Sequence, residues 1–198
     1  MHLETQSADA REVPFTEAKR AGASLAECFS NDEVARYYLQ VTECERPLTA
    51  HEAKLNLRIY ECLTAAHCYS GLVISAGPGL DCVSLWMPPS TSDWSWKIYW
   101  KSELWLLWLR LGREGRARLF GSWNIFEEGM TSIMGERAPN TWVLTDLGTK
   151  KPSRGKGYAT KVMEYGLGLV CIPIIMIIHG FNTRLGRCSN PAYLHRML

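Results

Sequence analysis

The stretch SRGKGYATKVMEYGLG, residues 153–168, sets an arginine, two glycines and an alanine at fixed offsets where an alternating strand pattern gives way to a helical one. Backbone N–H groups at a helix start have no intrahelical acceptor and lie at the positive end of the helix dipole, so a small-residue entry flanked by cations suits a phosphate. Side chains at Gly155 and Gly157 would block close approach of the backbone, and Arg154 adds charge beside it. Lys156 reads equally well as a contact or as a solvated flank, while Tyr158 and Ala159 open the helix.

Spacing removes several other chemistries. A P-loop is excluded because Gly148 stands too far from Gly155 and Gly157 occupies the place of the hydroxyl residue. A dinucleotide fingerprint needs a small residue three after Gly157, where Thr160 stands. GASLA, residues 22–26, is a near match to a nucleophile elbow but lies inside a helical pattern, so Ser24 is read as structural. Cys62, His67 and Cys68 have no second ligand pair at zinc spacing, and no metal site is expected.

The chain that must position the loop is 198 residues long, 46% hydrophobic and 21% charged, which is the size and balance of one globular domain. A net charge of +2 does not support nucleic-acid binding, and the basic residues are scattered apart from GTKKPSRGK. Seven cysteines without a CxxC pair do not make a disulfide framework, which points to a reducing compartment. The polar start MHLETQSADAREV resembles no leader, so the expected location is the cytoplasm, with the nucleus as alternative. Residues 1–12 are expected to be frayed, with one domain over 13–198.

Thr16 to Phe29 has helical spacing after a threonine that can cap, and NDEVARYYL offers a second short helix. Residues 49–71 read as a long amphipathic helix that starts at Thr49 with Glu52 three residues on and stops at Gly71. LVIS and CVSLWM read as a hairpin, ended by Pro88 and Pro89. DWSWKIYWKSELWLLWLRLG holds five of the eight tryptophans. It is expected as a Trp-rich core helix; a lid over an apolar substrate and a membrane-surface helix are the alternatives, the last lacking a strongly basic polar face. Residues 113–136 continue as helix with a break expected near Gly129, TWVLTDLGT is the clearest strand, and the helix after Gly157 lies behind it.

Strand, short loop, then Arg-x-x-Gly-x-Ala opening a helix resembles the signature of the GNAT superfamily of acyl-CoA N-acyltransferases, carried here by Arg154, Gly157 and Ala159. The resemblance covers roughly residues 16–166; HCYSGLVISAGPGLDCVSLWMPP and MGERAPNTW resemble a fungal-type branch of these N-acetyltransferases. It implies an α/β (α+β) fold with a mixed, mostly antiparallel sheet flanked by helices, and acetyl-CoA as acyl donor to a primary amine of a small molecule or protein. It further implies that the pantetheine arm pairs with the backbone of Leu147, Gly148 and Thr149, with Gly148 marking a bulge, and that a strand amide stabilises the oxyanion. Transfer to an amine whose pKa is ~10 requires a proton acceptor. Asp146, beside the pantetheine edge, is the first candidate and Glu136 the second; each also reads as an ordinary surface carboxylate.

After Gly166 the sequence departs from that pattern. The remaining residues fall short of the roughly 40 that a strand, a helix and a closing hairpin would occupy. LGLVCIPIIMIIHG, interrupted by Pro173, is shorter than the roughly 20 residues of a membrane span but suits a buried fifth strand. SNPAYLHRML offers Ser189 or Asn190 as a cap and Tyr193 within a helix, and then the chain ends. Two functions stay open: an active N-acetyltransferase, or a truncated, inactive relative that binds CoA or a partner protein. Without the hairpin, the fifth strand would expose an apolar edge and promote self-association.

Overall fold

The computed structural model describes residues 9–43, 46–89 and 95–169, together with the backbone of strand 174–179. The architecture is α+β, a GNAT-like arrangement in which one sheet is flanked by helices. The strands are β1 Arg11–Glu12, β2 Leu72–Ala76, β3 Cys82–Met87, β4 Trp142–Thr149 and β5 Ile174–His179, adjacent in that order. The first four are antiparallel neighbours, whereas β5 runs parallel to β4. The fifth strand expected from the apolar run is therefore present. Its register with β4 runs from Trp142↔Ile174 to Asp146↔His179.

The helices are α1 Ala18–Cys28, α2 Glu33–Tyr38, α3 Ala50–Ser70, α4 Trp96–Lys101, α5 Leu104–Arg110, α6 Arg113–Met134 and α7 Tyr158–Leu169. Helix α3 starts as its sequence dictates: Thr49 Oγ1 accepts from the Glu52 amide, and Glu52 Oε2 accepts from the Thr49 amide at 2.8 Å. Asp32 caps α2 by accepting from the amides of Val34 and Ala35. Thr16 does not cap α1; it sits in a 3-10 turn, Phe15–Glu17, that leads into the helix. Ser24 is buried in α1 and donates to the Arg20 carbonyl, a structural role.

Alternation along the central strands fills two cores. Val73, Val83 and Leu85 face α1 and α3 with Leu25, Phe29 and Tyr60; Ile74, Cys82 and Trp86 face α7 with Leu144 and Val162. Every residue of β3 is buried, as a central strand covered on both faces requires. A third cluster joins Ile59 and Cys62 of α3 to Leu104, Leu107, Leu111 and Leu119 of residues 104–119.

Four expectations need correction. Arg11 and Glu12, assigned to a frayed start, pair with Ser75 and Ile74 as an edge strand, held further by the bond from the Val13 amide to the Val73 carbonyl, 2.8 Å. The Trp-rich segment is two helices broken at Glu103, whose φ of 63° is left-handed and whose carboxylate takes Arg58 of α3. Trp96, Trp100, Trp105 and Trp108 are not core: Leu104 and Leu107 point inward and these indoles outward, because the leucines recur at the spacing that faces α3. Helix α6 runs unbroken through Gly129 to Gly135; Gly129 lies on an open side, where a mid-helix glycine costs only about 1 kcal/mol.

Beyond residue 179, the expectations about Ser189, Asn190, Tyr193 and the missing hairpin fall outside the described residues, as does the outer edge of β5.

Candidate active site

Among the described residues, strand β4 extends beyond its pairing with β5. Pairing with β5 ends at Asp146, while pairing with β3 continues through Leu147↔Ser84, Gly148↔Val83 and Thr149↔Cys82. Among the described residues, Leu147, Gly148 and Thr149 thus have a strand on one side only. This fork offers N–H and C=O groups to an extended ligand, which can lie along them as an added strand.

The loop after β4 is pinned at both ends. The Lys150 amide donates to the Asp81 carbonyl at 2.8 Å and Lys150 Nζ to the Gly79 carbonyl at 2.9 Å, tying the loop to the β2–β3 turn. Pro152 fits the following 3-10 turn, Lys151–Ser153, and Arg154 Nε donates back to the Thr149 carbonyl at 3.2 Å. Arg154 is exposed on the loop. Gly155 and Gly157 adopt φ of 78° and 77°, a region that side chains disfavour, and among the described residues a Cβ on either would meet nothing within 4 Å. Open space therefore lies over both glycines.

The first bond of α7 runs from the Lys161 amide to the Gly157 carbonyl, 3.1 Å, so the amides of Tyr158, Ala159 and Thr160 have no acceptor inside the helix. The side chains of Tyr158 and Ala159 turn away to pack with the cluster beneath α7. Their contribution to a ligand is backbone. Lys156 is exposed on the loop. The donor set of free amides, a guanidinium and a cradle over Gly155 and Gly157 fits a pyrophosphate.

Gly148 serves packing, and the bulge lies elsewhere. A Cβ at Gly148 would stand 2.9 Å from Cys28 Cβ and 3.1 Å from Leu25 Cδ2, so its absence lets α1 close on β4. The β3–β4 register slips where Leu85 pairs with Asp146 and Trp86 with Leu144, leaving Thr145 as the extra residue. Leu144 and Leu147 both pack beneath α7 although three apart, which strict alternation forbids; the slip turns Thr145 and Asp146 toward the α1–α3 face.

At that bulge the Thr145 hydroxyl lies 3.3 Å from both His67 Nε2 and the Leu85 carbonyl. His67 Nδ1 donates to the Leu63 carbonyl at 2.8 Å, since a carbonyl can only accept. Burial lowers the His67 pKa, against upward pulls from the Leu63 bond and from Asp146, and the ring is neutral. Asp146 is itself buried and its carboxylate acts on two tyrosines of the same face. Burial first, and Asp146 second, hold the Tyr60 phenol well above its ordinary pKa; burial also pushes Tyr38 up to about 12, opposed by its bond with Ser122 and aided by Asp146. Cys28, against Gly148, is pushed up to about 12 by burial and Glu27, with Arg154 and Lys150 opposing.

Asp146, Leu147, Gly148, Thr149 and the 154–159 loop therefore adjoin one another along a single strand and its exit. Glu136 does not join them. It is exposed on a 3-10 turn, Gly135–Asn140, that precedes β4, at the other end of a strand of eight residues spaced ~3.3 Å apart. Sequence reasoning missed the polar group that Asp146 acts on electrostatically from the same bulge. His67 was visible only as a histidine beside two cysteines, and its partner Thr145 is brought to it by a slip in register. Cys62 and Cys68 point elsewhere, into the α3–α5 cluster and toward the Val13 carbonyl. Among the described residues no group of three His, Cys, Asp or Glu side chains could hold a metal, and no helix is long and apolar enough to cross a membrane.

The chain is 31% identical, over 156 residues, to a protein of Schizosaccharomyces pombe named an uncharacterized N-acetyltransferase. It is a relative of a named acetyltransferase. The match takes in 78% of the chain and spans 61% of that relative's length. No protein-family model matches the chain.

Proposed function

We propose that the protein is a GNAT-type N-acetyltransferase that moves an acetyl group from acetyl-CoA to a primary amine of a small molecule or protein. The observation that carries this reading is the fork of β4 leading straight into a glycine cradle at the start of α7. The named relative adds independent support for acyl transfer to nitrogen.

Under this reading Arg154 and the amides of Gly155 to Thr160, including that of Lys156, hold the pyrophosphate, and the backbone edge of Leu147, Gly148 and Thr149 aligns the arm that follows. The donor, when bound, supplies a thioester carbonyl to the amine nitrogen, the C–N bond replacing the C–S bond and CoA leaving as the thiol. Asp146, at the bulge beside the fork, accepts the proton that the amine must lose, because an amine of pKa ~10 is otherwise charged and unreactive at neutral pH. Thr145, held by His67, fixes the bulge that aims Asp146. Glu136 has no comparable position.

The test is acetyl-CoA turnover, followed by thiol release across a panel of primary amines and peptide N-termini, beside calorimetric titration of CoA. Binding with amine-dependent thiol release supports the reading. Binding without release from any amine favours a CoA-binding relative that has lost catalysis. Neither binding nor release overturns both.

A further inference from the structure

We propose that the tryptophan face of α4 and α5 docks on an anionic lipid surface. Antiparallel neighbours such as β3 and β4 need only a tight turn between them, yet here residues 88–141 intervene and carry three helices. Arg58 and Lys19 reach Glu103 at the α4–α5 break and fasten the two short helices to α3 and α1. With Leu104, Leu107 and Leu111 buried on the inner side, the outer side is left to large apolar groups: Trp96 is 74% exposed, Trp100 63%, Trp108 52% and Leu109 70%. Scattered single exposures need no explanation, but these fall on two consecutive short helices. Trp100 stacks on Trp105 across the break with centroids 5.1 Å apart, and Trp108 packs on Phe120 of α6 at 5.6 Å.

Charge selects the occupant. Lys97, Arg110 and Arg113 are exposed on the same three helices, and Arg116 lies 4.8 Å over the Trp108 ring; Lys101 instead lies over Tyr69 of α3. Among the described residues of α4, α5 and the first turn of α6, the carboxylates are engaged: Glu103 by Arg58 and Lys19, Glu114 by Arg118. The basic flank that α4 and α5 lack on their own is completed by the first turn of α6. Indole rings with cationic neighbours suit the boundary between headgroups and acyl chains, where the ring is buried and its N–H stays wet, while Lys and Arg reach anionic headgroups. A second copy of the chain suits the face less well, because a two-fold contact would set the cationic rim against itself.

The experiment is flotation of the full chain with phosphatidylcholine vesicles, with and without about 30% phosphatidylserine, at low and at high salt. The expected result is at least ~10-fold tighter association with the serine-lipid vesicles, weakened by salt. Trp100→Ser with Trp108→Ser should abolish it with an unchanged circular dichroism spectrum. Lys97→Glu with Arg110→Glu, which keeps every indole, should remove the preference for phosphatidylserine. No association with either vesicle, association that survives both double variants, or self-association in solution without vesicle binding would each overturn the proposal.

Discussion

The exit of strand β4 and the helices α4 and α5 offer different kinds of surface. Where the strand exits toward α7, the chain presents backbone: unpaired amides, two left-handed glycines over open space, and side chains of Tyr158 and Ala159 turned away into the core. Helices α4 and α5 instead present side chains, an outward set of indoles on helices anchored by Arg58. A site made of backbone tolerates few residue types at each position, because only small residues admit the ligand. A surface made of side chains depends on which way each helix turns, and that is decided by packing.

The sharpest way to break the first half of the comparison is through Asp146. Asp146→Asn is expected to lower turnover by ~10²-fold or more while CoA affinity stays within about two-fold, since the carboxylate is assigned to proton transfer and not to holding the donor. Steady-state kinetics beside calorimetry decides it; full activity at neutral pH would take Asp146 out of the mechanism.

Two glycines on the same strand-loop unit should then separate binding from stability. Gly157→Val places a side chain in the cradle and a β-branched residue at φ 77°, so CoA affinity should fall at least ~10-fold while the strain lowers stability by only about 1–2 kcal/mol. Gly148→Ala should do the reverse: its Cβ meets Cys28 and Leu25, and overpacking of this kind costs about 1–3 kcal/mol of stability. Denaturant melts and CoA titrations of the two variants test the contrast, and it collapses if both lose stability and affinity alike.

How much of this was legible in the sequence follows from the same contrast. The Arg154, Gly157, Ala159 spacing named the loop because the dihedral angles and the open cradle leave little choice of residue. The capping box at Thr49 and Glu52 likewise set the start of α3 from local chemistry alone. The slip at Thr145 was not legible, since nothing in WVLTDLGT marks one residue as supernumerary, and Gly148 drew the attention that belonged to Thr145. The tryptophans were assigned to the core on composition. Their direction was fixed by Leu104 and Leu107 packing on α3, and by the turn at Glu103 that no glycine announces.

A smaller effect concerns pH. His67 binds a proton less readily in the folded chain than its ordinary pKa of 6.5 provides for, so its contribution to stability is full above about pH 6.5 and is lost as pH falls below it. Chemical denaturation between pH 5 and 8 should show stability falling on the acid side at a slope of up to about 1.4 kcal/mol per pH unit, and His67→Gln should flatten that part of the curve. The smallest effect is at the thiols. Burial raises Cys62, Cys68 and Cys82 to about 11 and Cys28 to about 12, so iodoacetamide at pH 8 should label these four slowly in the native chain and rapidly in denaturant. Rapid native labelling of Cys28 would mean that α1 does not close on Gly148 as described.

The central claim is that the donor lies along the exit of β4 and over the start of α7. Titrating CoA into uniformly nitrogen-15-labelled protein and following amide shifts tests it directly. The account predicts that the largest changes fall on Leu147 to Thr149 and Gly155 to Thr160, and that Gly157→Val suppresses both sets together. Saturable binding whose shifts avoid these residues, or a full response in the valine variant, would contradict it.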